Sequence, residues 1–170
     1  MVMRTKIFAT AVAVAICTYC NGSLFAADEV DDGSAPDFAL KSTTGPNLRL
    51  SEYRGEVVLL TFWASWCGEC RTQLKEFEAL HQSYGESGLA LLAVNLDPQM
   101  AQARDTAQSL GLTYPVLHDV GGVVGEMYEV DDMPLVVFID REGQVREVVE
   151  GFSRTEQDHY ADQLRNLLRE

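Results

Sequence analysis

Two segments of the chain are almost unbroken runs of apolar residues, Val57-Val58-Leu59-Leu60-Thr61-Phe62 and Leu89-Ala90-Leu91-Leu92-Ala93-Val94. Both are too short for a buried helix, and the first is rich in β-branched side chains. Each predicts a strand covered on both faces. Between them, Leu74, Phe77, Leu80 and Tyr84 recur in steps of three and four. That spacing predicts a helix over Gln73–Tyr84, ended by Gly85. A second helix is expected over Pro98–Leu110, with the proline in its first turn and Gly111 at its end. Val116-Leu117 is a short strand candidate and Val123–Tyr128 a short helix or turn. Leu135–Ile139 and Val145–Val149 read as a hairpin turning through Asp140-Arg141-Glu142-Gly143. Thr155–Arg169 closes the chain as a helix capped by Ser153 or Thr155. Upstream, Phe38-Ala39-Leu40 and Leu48-Arg49-Leu50 flank the turn-rich stretch 42–47, which predicts a further hairpin. Ser51–Gly55 reads as one helical turn capped by Ser51. Strands and helices in this order imply an α/β domain of three layers, a mixed central sheet with helices on both faces and the hairpin added at its N-terminal side.

The first 34 residues break this pattern. Arg4 and Lys6 precede the apolar run Ile7–Ile16, then polar residues, then Leu24-Phe25-Ala26-Ala27. A charged start, a short apolar centre and small terminal residues describe a secretory signal peptide, assigned to residues 1–26. An uncleaved membrane anchor is the alternative, but a spanning helix needs about 20 mostly apolar residues and this run is about half that. A flexible acidic lead over 27–34 and a single domain over 35–170 follow. Cleavage removes Cys17 and Cys20 with the signal, so Cys67 and Cys70 are the cysteines of the mature chain. The formal net charge is −13, and cleavage makes the chain more acidic. Such a chain has no basic stripe with which to neutralise phosphates, so no nucleic-acid partner is expected.

The chemistry concentrates at Cys67-Gly68-Glu69-Cys70. Two cysteines with two residues between them, directly after a buried strand and at a helix start, lie within disulfide reach of each other. The free amides and the dipole at the helix start favour a thiolate on the first sulfur. Cys67 is therefore expected to attack and Cys70 to resolve the mixed disulfide. A purely structural disulfide would close a very small loop and restrict the unfolded chain little. A zinc site needs about four ligands, and beside two cysteines the chain offers His81, His118 and His159. No metal and no other cofactor is expected.

At these residues the sequence resembles the TlpA/ResA-like thioredoxin proteins. The segment Phe62-Trp63-Ala64-Ser65-Trp66-Cys67-Gly68-Glu69-Cys70-Arg71 carries the resemblance. It is extended by Ala35-Pro36-Asp37-Phe38, Leu50–Gly55, Val94-Asn95-Leu96-Asp97 and Met133-Pro134. The resemblance implies a thioredoxin-like fold and an exported thiol–disulfide oxidoreductase, a reductase of protein disulfides in a bacterial periplasm. It implies a protein thiol or disulfide as substrate, a membrane protein as electron donor, and cytochrome c maturation as one setting. It further implies that the Met133–Pro134 bond is cis and lies against the disulfide, that the Met133 backbone pairs with substrate, and that Trp66 forms an apolar lip beside Cys67.

Departures from the family pattern matter. Thr61 stands where thioredoxins proper carry a buried Asp. Asp97 is a candidate proton shuttle from the resemblance and a helix N-cap from its place before the second helix. Glu69 stands where many relatives have Pro, and its charge is expected to destabilise the Cys67 thiolate and make the pair more reducing. A peroxiredoxin would carry Thr and Pro where Ala64 and Leu60 stand. A copper-binding or delivery module on the same fold, using Cys67 and Cys70 with His118 as third ligand, is the alternative from a different functional class.

Overall fold

The computed structural model describes residues 33–152 and 156–170. The expected signal, Cys17, Cys20, most of the acidic lead and the capping candidates Ser153 and Thr155 lie outside the described residues. The elements run β1 (Ala39–Ser42), β2 (Asn47–Arg49), a 3-10 turn (Leu50–Tyr53), β3 (Val57–Trp63), α1 (Gly68–Tyr84), β4 (Leu89–Asn95), α2 (Met100–Leu110), β5 (Val116–His118), α3 (Val123–Met127), β6 (Leu135–Ile139), β7 (Val145–Glu150) and α4 (Glu156–Leu167).

The seven strands form one mixed sheet in the order β2-β1-β5-β4-β3-β6-β7. β3, β4 and β5 are parallel, and the hairpins β1–β2 and β6–β7 continue the sheet antiparallel on either side. The predicted N-terminal hairpin is therefore an edge of the main sheet, joined through β1 and β5. Every residue of β3 and β4 is buried, as a strand covered on both faces requires. The edge strand β7 alternates between half-buried and exposed.

The two faces are covered unequally. Val57, Leu59 and Trp63 of β3 pack with Leu74 and Phe77 of α1, Ala103 and Ala107 of α2, and Tyr160, Leu164 and Leu167 of α4. Val58, Leu60 and Phe62 point the other way, toward Val124 of α3, Leu50 of the 3-10 turn and Ala35 and Phe38 of the N-terminal segment. One face thus carries three helices. The other carries a helix of five residues and irregular chain.

Several boundaries differ from expectation. α1 begins at Gly68, not Gln73, because its first turn lies at the domain surface and shows no apolar repeat. α2 begins at Met100 with Gln99 as N-cap, so Pro98 precedes the helix rather than entering it. The 3-10 turn is capped at Arg49, whose N–H donates to Glu52. Ser51 lies inside that turn, and its N–H and Oγ donate to Asp37 at 2.9 and 3.1 Å. The last two residues of the acidic lead are pinned: Val145 N–H donates to the Gly33 carbonyl, and Gln144 Nε2 donates to Ser34 Oγ at 2.8 Å. Gly111 closes α2 in the left-handed conformation, φ +70°, as predicted.

Phe77 is fully buried and meets the Tyr160 ring edge-to-face at 5.5 Å, joining α1 to α4. Phe77→Ala is expected to cost about 3–5 kcal/mol, read as a lower denaturation midpoint at unchanged slope. Val148→Ser, on the exposed face of β7, should stay within about 0.5 kcal/mol of the parent.

Candidate active site

β3, β4 and β5 end side by side, with Trp63 beside Asn95 and Asn95 beside His118. In open sheets with parallel strands, ligands bind at this carboxyl edge, and here it holds the cysteines. The chain leaves β3 at Trp63, turns through Ala64-Ser65-Trp66 and enters α1. Cys67 is the last extended residue, φ −81° and ψ 109°, and acts as the helix N-cap. Its sulfur accepts the Cys70 N–H at 3.1 Å. Cys67 and Cys70 form a disulfide, with their Cα atoms 5.3 Å apart. Cys67 lies at the surface with little area exposed, whereas Cys70 is wholly buried against Leu74 and Val136.

The Met133–Pro134 bond is cis. The Met133 carbonyl oxygen lies 3.9 Å from Cys67 Sγ, so this loop does face the disulfide. The Met133 N–H is occupied: it donates to the Asp132 carboxylate at 2.8 Å. Trp66 is 71% exposed beside Cys67, whereas Trp63 is buried in the core.

Asp97 is almost completely buried and does not cap α2. Its carboxylate accepts the Ser65 N–H at 2.9 Å, Ser65 Oγ at 2.9 Å and Asn95 Nδ2 at 2.8 Å. Its carbonyl accepts His118 Nε2 at 2.8 Å, so that ring nitrogen carries a proton. Asp97 therefore ties the loop that delivers Trp66 and Cys67 to the ends of β4 and β5. Glu69 is exposed at the surface of α1.

The position of Thr61 is answered by a neutral network. Thr61 Oγ1 donates to Gln73 Oε1 at 3.2 Å, and Gln73 Nε2 donates to Tyr160 OH at 3.3 Å, all buried. Gln73 sits on α1 one turn beyond Cys70. Sequence reasoning did not single it out, although a polar residue on the buried face of a helix was the available signal. Asp119 was missed as well. Its carboxylate accepts the Val124 and Gly125 N–H groups at 2.9 and 2.8 Å and so satisfies the start of α3. Among the described residues no three His, Cys, Asp or Glu side chains come together as a metal site. His118 in particular spends its Nε2 proton on Asp97.

Comparison with known proteins agrees with this geometry. The sequence pattern of the AhpC/TSA family matches residues 32–148. The chain is 34% identical over 152 residues to the thiol-disulfide oxidoreductase ResA of Geobacillus kaustophilus, covering 89% of this chain and 87% of that one. Among solved structures, a protein described as a thiol:disulfide interchange protein DsbE from Chlorobium tepidum superposes with a TM-score of 0.77 at 34% identity, over 79% of this chain and 95% of that one. The exposed lipoprotein thioredoxin Etrx1 of Streptococcus pneumoniae gives 0.65 at 33% identity, over 78% and 100%. The fold is thus thioredoxin-like and the Cys67–Cys70 disulfide is redox-active. The chain belongs to the AhpC/TSA family, within its TlpA/ResA-like group of thiol–disulfide oxidoreductases.

Proposed function

We propose that the chain is exported to a bacterial periplasm and there reduces protein disulfides. The observation that carries the reading is the asymmetry of the two sulfurs. Cys67 keeps 8% of its area exposed and its Sγ accepts an N–H at the start of α1, while Cys70 is wholly buried. The helix start favours negative charge on Cys67, and Cys70 lies among apolar core residues.

In the reduced protein, the Cys67 thiolate attacks one sulfur of a substrate disulfide. The substrate S–S bond breaks, the first substrate sulfur leaves as thiolate and takes a proton from solvent. Cys70 then loses its proton and attacks Cys67 Sγ, releasing the second substrate thiol. Two electrons have passed to substrate, which gains two protons, and the Cys67–Cys70 disulfide results. A dithiol donor returns the two electrons by the reverse exchange. An oxidising periplasm supplies none, so a membrane protein is assigned that role, and apocytochrome c is one fitting substrate.

Trp66, Met133 and Pro134 form the surface that meets substrate. An extended substrate strand pairs with the Met133 backbone after displacing the Asp132 carboxylate from its N–H. Asp97 acts as a positioning residue rather than a proton carrier, since its carboxylate is taken up by Ser65 and Asn95. Export rests on the N-terminal sequence pattern, with the 1–26 segment as signal or, uncleaved, as anchor. Among the described residues no helix is long and apolar enough to cross a membrane. Among the described residues no third His, Cys, Asp or Glu joins the cysteines, and no observation favours the copper-delivery alternative.

Cys70→Ser should accumulate a mixed disulfide with substrate on Cys67, seen by mass spectrometry under non-reducing conditions. Trapping by Cys67→Ser instead would invert the assignment. The pair should equilibrate with thiol buffers near thioredoxin's potential of about −270 mV, whereas a value near −120 mV would make it an oxidant. Glu69→Gln should make the potential less negative. The shift should be under about 20 mV, since exposed charges interact by about 1 kcal/mol or less and 30 mV corresponds to about 1.4 kcal/mol. Asp97→Asn removes the charge and one of the two acceptor oxygens that hold Ser65. It should cost about 1–3 kcal/mol and speed hydrogen exchange at Ser65 while leaving the amides of β3 protected.

A further inference from the structure

Five large apolar side chains stand exposed among the described residues, and four of them, Trp66, Val120, Val123 and Met127, lie at the carboxyl edge of the sheet. Hydrogen bonds fix the segments that carry them to this edge. Trp66 follows Ser65, which Asp97 holds. Val120 follows Asp119, whose N–H donates to the Asn95 carbonyl at 3.0 Å and whose carboxylate starts α3. Val123 and Met127 are four apart and share one helical face. Gly125 lets α3 lie directly on the Leu96 loop, since a Cβ there would stand 3.3 Å from Leu96 Cδ2. The exposed face of α3 is thus set beside the loop that presents Cys67.

Between α3, Leu96 and the chain leading to Met133 runs a groove of about 520 Å³. Leu96 and Val130 line it with apolar surface, and its charged lining residues are Glu126, Glu129 and Asp131. The acidic side continues through Asp132 to Met133, whose carbonyl is 3.9 Å from Cys67 Sγ. The α1 flank of the cysteines is mixed in sign, with Arg71 and Lys75 beside Glu76. Negative charge is therefore concentrated on the α3 flank of the sheet edge that holds the cysteines. Such a surface attracts a cation and repels an acidic chain. A Lys or Arg side chain also suits its mixed character, laying an apolar stem along Leu96 and Val130 with its charged head at the carboxylates.

We propose that the α3 face and this groove dock the substrate polypeptide, and that they select a segment with apolar and basic residues flanking its half-cystine. The proposal rests on the reductase reading above and names the substrate class for it. The test uses the reduced full chain at low ionic strength with three probes. Two are disulfide-linked peptides of equal length and apolar content, one with Lys and one with Glu beside each half-cystine. The third is neutral 2-hydroxyethyl disulfide. The Lys peptide should react about tenfold faster than the Glu peptide. The triple variant Glu126→Gln, Glu129→Gln, Asp131→Asn should reduce that ratio to about two. Glu56→Gln, Glu86→Gln, Glu142→Gln makes the same change in net charge at the opposite end of β3, β4 and β6, and should keep the ratio. Val123→Ser with Met127→Ser should slow both peptides. A wild-type ratio near one, equal loss from both triple variants, or undiminished peptide rates in the serine variant would overturn the proposal. Failure to reduce 2-hydroxyethyl disulfide would overturn the reductase reading instead, and a reduced small disulfide without peptide preference would sink the docking surface alone.

Discussion

The junction between β3 and α1 constrains everything else at this edge of the molecule. β3 is buried on both faces, so it fixes where the chain emerges. α1 must start at once, and its first turn leaves amide groups without carbonyl partners inside the helix. Cys67 stands at that boundary. Its backbone is still extended while its side chain already serves the helix by accepting the Cys70 N–H. A hydroxyl would cap the helix there equally well. A sulfur does so while sitting where negative charge is most favoured, which couples the local folding requirement to the chemistry. The spacing to Cys70 follows, since three residues further on the helix has turned its side chain into the core beneath the first sulfur.

The parts legible in the sequence are those governed by burial on a regular period. The runs at Val57–Phe62 and Leu89–Val94 announced themselves because both of their faces are covered. The parts that were hard to read are set by contacts between segments distant in the chain. Nothing local to Asp97 distinguishes a helix cap from a carboxylate that reaches back to Ser65, and the choice is made only once β3 and β4 lie side by side. The apolar repeat predicts α1 only from Gln73, five residues inside the helix, because Gly68, Glu69, Arg71 and Thr72 of its first turns are exposed. Pinning of Gly33 and Ser34 depends on the β6–β7 hairpin more than 100 residues away. The cis bond before Pro134 came from family resemblance, and the geometry bears it out.

Proton handling is where the chain departs most from thioredoxins proper. A buried carboxylate at position 61 would offer a local acceptor for the Cys70 proton. Thr61 and Gln73 instead form a neutral chain ending on the Tyr160 hydroxyl. Amides and hydroxyls can orient one another and fill the polar requirement of the core, but none of the three readily changes charge near neutral pH. Asp97, buried behind the loop that presents Cys67, already accepts from Ser65 N–H, Ser65 Oγ and Asn95 Nδ2. In the exchange proposed above, the Cys70 proton leaves on the Cys67 side, where the substrate thiolate released from Cys67 can receive it. On this account the second half of the exchange depends on the bound substrate as well as on the enzyme.

That dependence sharpens the meaning of the surface around Cys67. A generic apolar rim would hold any unfolded chain, and strong net acidity alone would attract any basic one. Here the acids line one flank, on α3 and the approach to Met133, while the opposite flank is mixed in sign. An asymmetric field selects an orientation as well as a partner, because a segment with its basic residue on the wrong side of the half-cystine loses the attraction. Orientation decides which of the two substrate sulfurs meets Cys67, and that sulfur is the one released when Cys70 attacks and reprotonated as it leaves. Substrate charge, the sulfur attacked and the path of the proton are then consequences of one arrangement: parallel strands ending together, with a helix start on one side and an acidic groove on the other.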